Sequence, residues 1–195
     1  MRQSCYLAFV MKLILASASP RRKEILSRLI GDFEVIPSDA EEKTEGLSPR
    51  DTAETLAVRK AESVFARYPG CAVLGADTVV AFENCILGKP KDEADAAKTL
   101  ARLSGKKHEV FTGWCLIAPC GRASGAERSE VEFNALSEAF IRAYVESGKP
   151  LDKAGSYGIQ DDKRIVKRYE GSFTNIVGLP EEQIKIQLEK FGLYR

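Results

Sequence analysis

Ser17-Ala18-Ser19-Pro20-Arg21-Arg22 sets two hydroxyls and two guanidiniums where the apolar run Leu13-Ile14-Leu15-Ala16 stops. Leu13 to Leu15 read as a buried strand bounded by small residues. Ser19 suits an N-cap, and Pro20 suits the first helical position, where a missing N–H costs nothing. Ile25, Leu26 and Leu29 then recur at helical spacing. Strand, hydroxyl-rich turn and helix N-terminus together offer unpaired N–H groups and a positive dipole end, which is a site for phosphate. The adjacent arginines add bidentate charge. An ordinary βα connection with solvated arginines has the same pattern, so other residues must decide between the two.

Asp77 ends the short apolar strand Val73-Leu74-Gly75-Ala76 and precedes Thr78. Ligands gather at strand ends in open α/β sheets. A carboxylate there suits a magnesium ion or a proton taken from water, and an aspartate that merely terminates a strand looks alike. Glu41 and Glu42 lie in an acidic loop and offer a second metal carboxylate, or only a solvated face. Lys89, between Gly88 and Pro90, is held in a turn that suits a fixed phosphate contact. Lys60 carries little signal of its own. In Leu151-Asp152-Lys153-Ala154-Gly155-Ser156-Tyr157-Gly158-Ile159-Gln160, the glycines permit close backbone approach. Lys153 offers charge, and the Gln160 amide can read a base edge. His108 has no nucleophile motif beside it and reads as structural.

The elements around these residues alternate between strand and helix. Phe33 to Ile36 alternate like a strand. Ser48 and Pro49 open a helix to about Tyr68, and another runs from about Asp92 to Leu103. His108 to Ala118 and Glu127 to Phe133 read as partnered strands, with Ser137 capping a helix through Val145. Arg164 to Tyr169 forms a strand, and Glu181 to Phe191 a last helix. The result is α/β with a mixed sheet and flanking helices. No Gly-x-x-x-x-Gly-Lys-Ser/Thr and no Gly-x-Gly-x-x-Gly occurs, so neither a P-loop nor a dinucleotide fingerprint is present.

With 29 basic and 28 acidic residues the net charge is +1, too even for a protein that coats nucleic acid or a membrane surface. No apolar stretch approaches a membrane span. Five scattered cysteines and one histidine make no zinc set, and they fit a reducing, cytoplasmic setting. Met11 offers a second start, so residues 1–11 are expected to be a dispensable extension and 12–195 one domain. A phosphate cradle with several carboxylates and lysines suits metal-assisted hydrolysis of a nucleotide's phosphate chain.

Leu15-Ala16-Ser17-Ala18-Ser19-Pro20-Arg21-Arg22, Gly75-Ala76-Asp77-Thr78, Gly88-Lys89-Pro90, Ser104 to Val110, Leu151 to Gln160 and Val177-Gly178-Leu179-Pro180 resemble the Maf family, in order, over Lys12 to Phe191. The resemblance implies an elongated fold of two lobes around a cleft, similar to the inosine triphosphate pyrophosphatases. It implies a homodimeric nucleoside triphosphate pyrophosphatase dependent on Mg²⁺ or Mn²⁺, releasing a monophosphate and pyrophosphate. Carried over, Asp77 is the general base and a metal neighbour, and Glu42 assists the metal. Ser17, Arg21, Arg22, Lys60 and Lys89 hold phosphates, while Arg21, Thr78 and Gln160 mark the substrate subgroup. Tyr157-Gly158-Ile159-Gln160 looks like the dTTP/UTP branch. Asp161-Asp162-Lys163-Arg164 departs from the glycine-rich stretch of many relatives, which bears on base preference. The alternatives are another specificity, such as 7-methyl-GTP, or a nucleotide-binding regulator of cell division.

Overall fold

The chain builds one mixed seven-stranded sheet, seen in a computed structural model that describes residues 11–194. The extension expected over residues 1–11 lies outside the described residues, apart from Met11, which packs against the core. In chain order the elements are β1 (Leu13–Leu15), α1 (Pro20–Leu29), β2 (Glu34–Val35), α2 (Pro49–Phe65), β3 (Ala72–Phe82), β4 (Cys85–Leu87), α3 (Glu93–Leu103), β5 (Lys107–Ala118), β6 (Gly121–Phe133), α4 (Glu138–Glu146), β7 (Val166–Glu170), α5 (Phe173–Val177) and α6 (Glu181–Lys190). The strands run in the order β2-β1-β3-β5-β6-β7, with β4 paired to β3. β2, β1 and β3 are parallel, and all pairs from β3 onward are antiparallel.

Capping follows the sequence closely. The Ser19, Ser48 and Ser137 hydroxyls accept backbone N–H bonds at the starts of α1, α2 and α4, and Pro20 and Pro49 occupy first positions. The core falls into separate clusters. Val80, Phe82 and Val110 pack under α3, α4 and Tyr157, while Leu13, Leu15 and Leu74 pack under α1 and α6. Ile14, Val73 and Cys115 meet Ala57, Ala61 and Val64 of α2. The cleft opens between these bodies, lined on one side by Ala16 and Val177 and on the other by Val80, Tyr157 and Ile176.

The structure corrects three readings. Asp77 does not end a strand; it lies inside β3, which continues to Phe82. Pairing explains why a site still forms there. β5 covers β3 from Val73 to Ala81 on one edge. On the other edge β1 pairs only as far as Leu74, and β4 begins at Val80. Residues 75–79 therefore face a gap where β1 has turned away, which is a switch point inside the sheet. Second, β6 starts at Gly121 rather than near Glu127, because Ala118 pairs with Gly121 across a tight hairpin that the Gly/Pro-rich composition concealed. Third, α5 went unread, since five residues are too few to show a helical period.

Candidate active site

Close packing of α2 on the sheet brings the carboxylates and lysine together. A Cβ on Gly75 would lie 2.7 Å from the Ala61 nitrogen, and one on Gly113 would lie 2.5 Å from the Glu54 nitrogen. Only glycine admits the helix backbone at that distance. α2 meets the two glycines with Ala53, Ala57 and Ala61. Lys60, one residue before Ala61, then reaches Asp77, with Nζ 2.5 Å from Oδ1. Its ammonium also lies 2.6 Å from Glu42 Oε1. That hydrogen bond holds the Glu42 carboxyl below the usual carboxylate range. Glu41 instead pairs with Lys43 at 3.2 Å in solvent, so Glu42 is the loop carboxylate that faces the cleft.

Alternation along β3 sends Thr78 to the opposite face from Asp77. There Arg22 of α1 is pinned by neutral oxygens. Nε donates to the Gly178 carbonyl at 2.8 Å, NH1 to Ser17 Oγ at 3.1 Å and NH2 to Thr78 Oγ1 at 3.1 Å. Among the described residues no carboxylate lies within ion-pair distance of this guanidinium, whose pKa burial pushes down. A desolvated cation aimed into a cleft with no anion beside it is a place for a ligand's negative charge.

The cleft has a volume of about 710 Å³ and is lined by Ser17, Arg21, Arg22, Glu42, Lys60, Asp77, Thr78, Lys89, Lys153 and Gln160, so these ten residues singled out in the sequence converge on it, whereas Glu41 and His108 do not. Their local states differ. Arg21 sits 3.9 Å from Asp152 and is only partly covered. Lys89 and Gln160 are exposed on the rim. Lys153 is buried, with its ammonium bound to Asp152 at 2.8 Å, to Asp161 at 3.4 Å and to the Lys149 carbonyl, so its charge is already compensated. The Tyr144 hydroxyl donates to Asp161 at 2.6 Å and accepts from the Gly158 N–H at 3.2 Å. Asp161 thereby anchors the loop that carries Gln160, while Asp162 turns out to Arg164 at 2.7 Å. His108 is buried, with Nε2 2.7 Å from the Tyr157 hydroxyl, and does not line the cleft; burial lowers its pKa to about 4.

Sequence reasoning passed over Thr112 and Asn175, both fully buried and hydrogen-bonded to each other behind Thr78. Polar residues inside otherwise apolar segments were the available signal. Among the described residues no group of three or more His, Cys, Asp or Glu side chains converges on one point. No helix there is long and apolar enough to cross a membrane.

Fold and site together define an α/β protein whose cleft holds a buried guanidinium near a pair of carboxylates. The fold is that of the Staphylococcus aureus Ham1 protein, matched with a TM-score of 0.53 over 92% of this chain and 99% of that one, at 18% identity. Residues 12–191 match the family described as Maf-like protein, and the chain belongs to that family. It is 48% identical over 173 residues to a dTTP/UTP pyrophosphatase of Thermococcus gammatolerans, covering 88% of this chain and 92% of the relative. The Deinococcus radiodurans protein of that name is 46% identical over 170 residues, covering 87% of each chain. The one from Bacillus thuringiensis subsp. konkukian is 47% identical over 184 residues, covering 93% and 96%.

Proposed function

We propose that this protein hydrolyses dTTP and UTP to the monophosphate and pyrophosphate. The observation that carries the reading is Arg22, without a carboxylate partner among the described residues, in the same cleft as Asp77, Lys60 and Glu42. Relatives 46–48% identical and named dTTP/UTP pyrophosphatase support the substrate.

In this scheme Arg22, Ser17, Arg21 and Lys89 receive the charge of the triphosphate. Asp77 takes a proton on a carboxylate oxygen from the water that attacks the α-phosphorus. The new P–O bond forms as the bond to the bridging oxygen breaks, and pyrophosphate leaves. Lys60 holds Asp77 in place, and the Gln160 amide meets the base edge. Thr78 and Lys153 serve by holding Arg22 and the base loop.

The residues also fit a divalent cation, Mg²⁺ or Mn²⁺. Asp77 and Glu42 both reach one ammonium, so two hard oxygen donors converge on a single cationic position. Magnesium is commonly held by one or two carboxylates plus substrate phosphates. Bound there, it would neutralise the phosphate chain and the departing pyrophosphate. The family resemblance further supports a homodimer working in the cytoplasm, with no nucleic-acid polymer as partner.

The test is pyrophosphate release from dTTP, UTP, CTP, GTP and 7-methyl-GTP, each with Mg²⁺ and with Mn²⁺. Fastest release from dTTP and UTP is expected. Preference for 7-methyl-GTP would overturn the base assignment, and no release from any nucleotide would overturn the reaction.

A further inference from the structure

The hydroxyls that hold Arg22 have a direction that follows from which atoms own protons. Asn175 of α5 is fully buried, and both of its side-chain protons and its side-chain oxygen are engaged. Oδ1 accepts from the Thr112 N–H at 3.1 Å, and Nδ2 donates to the Val110 carbonyl at 3.2 Å and to Ser129 Oγ at 2.9 Å. The Thr112 hydroxyl lies 2.7 Å from the Asn175 backbone carbonyl, which has no proton, so Thr112 donates. Its single proton is then used. Across the 3.0 Å between the Thr112 and Thr78 oxygens the proton must therefore belong to Thr78. Thr78 has only lone pairs left for the cleft, and it accepts from Arg22 NH2. Ser17 differs. Its oxygen accepts from the Ser19 N–H at 3.2 Å and from Arg22 NH1, and no acceptor takes its proton among the described residues.

We infer that Asn175 and Thr112 are positioning residues for the bound phosphate. They make Thr78 a pure acceptor that aims Arg22, and they leave Ser17 as the hydroxyl that donates to the anion. The same segment also supplies the Gly178 carbonyl that fixes Nε. Arg22 spends one N–H on each of three oxygens and keeps two of its five for a ligand. The inference rests on the phosphate reading of the cleft and adds the machinery that orients it.

The experiment measures binding of magnesium pyrophosphate by calorimetry, then KM and kcat for dTTP. Thr112→Val keeps the side-chain shape and the backbone bond to Asn175 and loses only the hydroxyl. Pyrophosphate binding should weaken about tenfold, the loss expected of one hydrogen bond to a charged group. KM should rise in step, with kcat held within about threefold. Thr112→Ser should restore both. Thr78→Val should reproduce the loss, and the double variant should bind no more weakly than either single one, because both changes break one chain.

Parental pyrophosphate binding by Thr112→Val, failure of the serine to rescue, or additive losses would overturn the inference. If Thr112→Val does not fold, Thr78→Val at the cleft wall decides, and undiminished binding there overturns it too. No binding by the parent protein would instead overturn the phosphate reading, and the inference with it.

Discussion

Replacing Asp77 with asparagine removes a charge and almost no volume, so its effects on chemistry and on folding can be separated. Asp77 Oδ1 lies 2.5 Å from Lys60 Nζ, and both side chains are 14% exposed. Removing one partner of a buried pair costs about 3–5 kcal/mol when the other charge is stranded. Here Glu42 remains 2.6 Å from the same ammonium. The amide oxygen of the variant can still accept from Lys60, so the expected loss falls to about 1–2 kcal/mol. At about 2–4 °C per kcal/mol for a chain of this size, Tm should drop by about 2–8 °C. Turnover should suffer far more. Loss of a positioned general base lowers kcat by about 10²–10⁴, or about 3–5 kcal/mol of barrier. The assay is pyrophosphate release from dTTP at saturating nucleotide, run to saturation in both Mg²⁺ and Mn²⁺ because Asp77 is also proposed as a metal carboxylate. Melting curves on the same samples confirm folding. A folded variant turning over within about threefold of the parent would show that the proton goes elsewhere.

Glu42→Gln should leave Tm within about 1 °C, since the group is largely exposed and surface pairs contribute little. It should raise the metal concentration for half-maximal activity about tenfold; an unchanged metal titration would remove Glu42 from the metal set. Gly113→Ala drives a methyl into the backbone of α2 and should cost about 1–3 kcal/mol or more, with kcat falling as Lys60 is lifted from Asp77. Gly31→Ala, with nothing within 4 Å, is the near-neutral control. His108 gives a pH signature. Its folded pKa of about 4 lies below the unfolded value of about 6.5, so its stabilising contribution is complete above pH 6.5 and is lost as pH falls toward 4. That contribution amounts to about 3 kcal/mol. The parent should therefore lose Tm more steeply than His108→Gln between pH 6.5 and 4.5, and parallel curves would contradict the assignment.

Local chemistry was legible because it depends on near neighbours in the chain. Ser19-Pro20 and Ser48-Pro49 open helices for reasons contained in those dipeptides, and both helices formed as read. The short α5 was not legible, although it supplies Asn175 and ends at Gly178, because its role depends on contacts with Thr112 and Arg22 far away in the chain. The family's loop motifs marked Gly155 to Gln160, yet they did not show that Asp161 would anchor that loop through Tyr144 and Lys153.

The sequence by itself determined the class of fold, the caps, the apolar periods and the residue types capable of phosphate and carboxylate chemistry. It did so because each rests on the propensity of a short segment. Tertiary structure alone decided that Asp77 stands within a strand facing a gap in the sheet, and that Lys60 lies between Asp77 and Glu42. It also decided that Arg22 has no carboxylate partner among the described residues. These outcomes depend on how closely α2 approaches Gly75 and Gly113 and on where β1 parts from β3. Such distances are set by packing between segments far apart in the chain, which no single segment encodes.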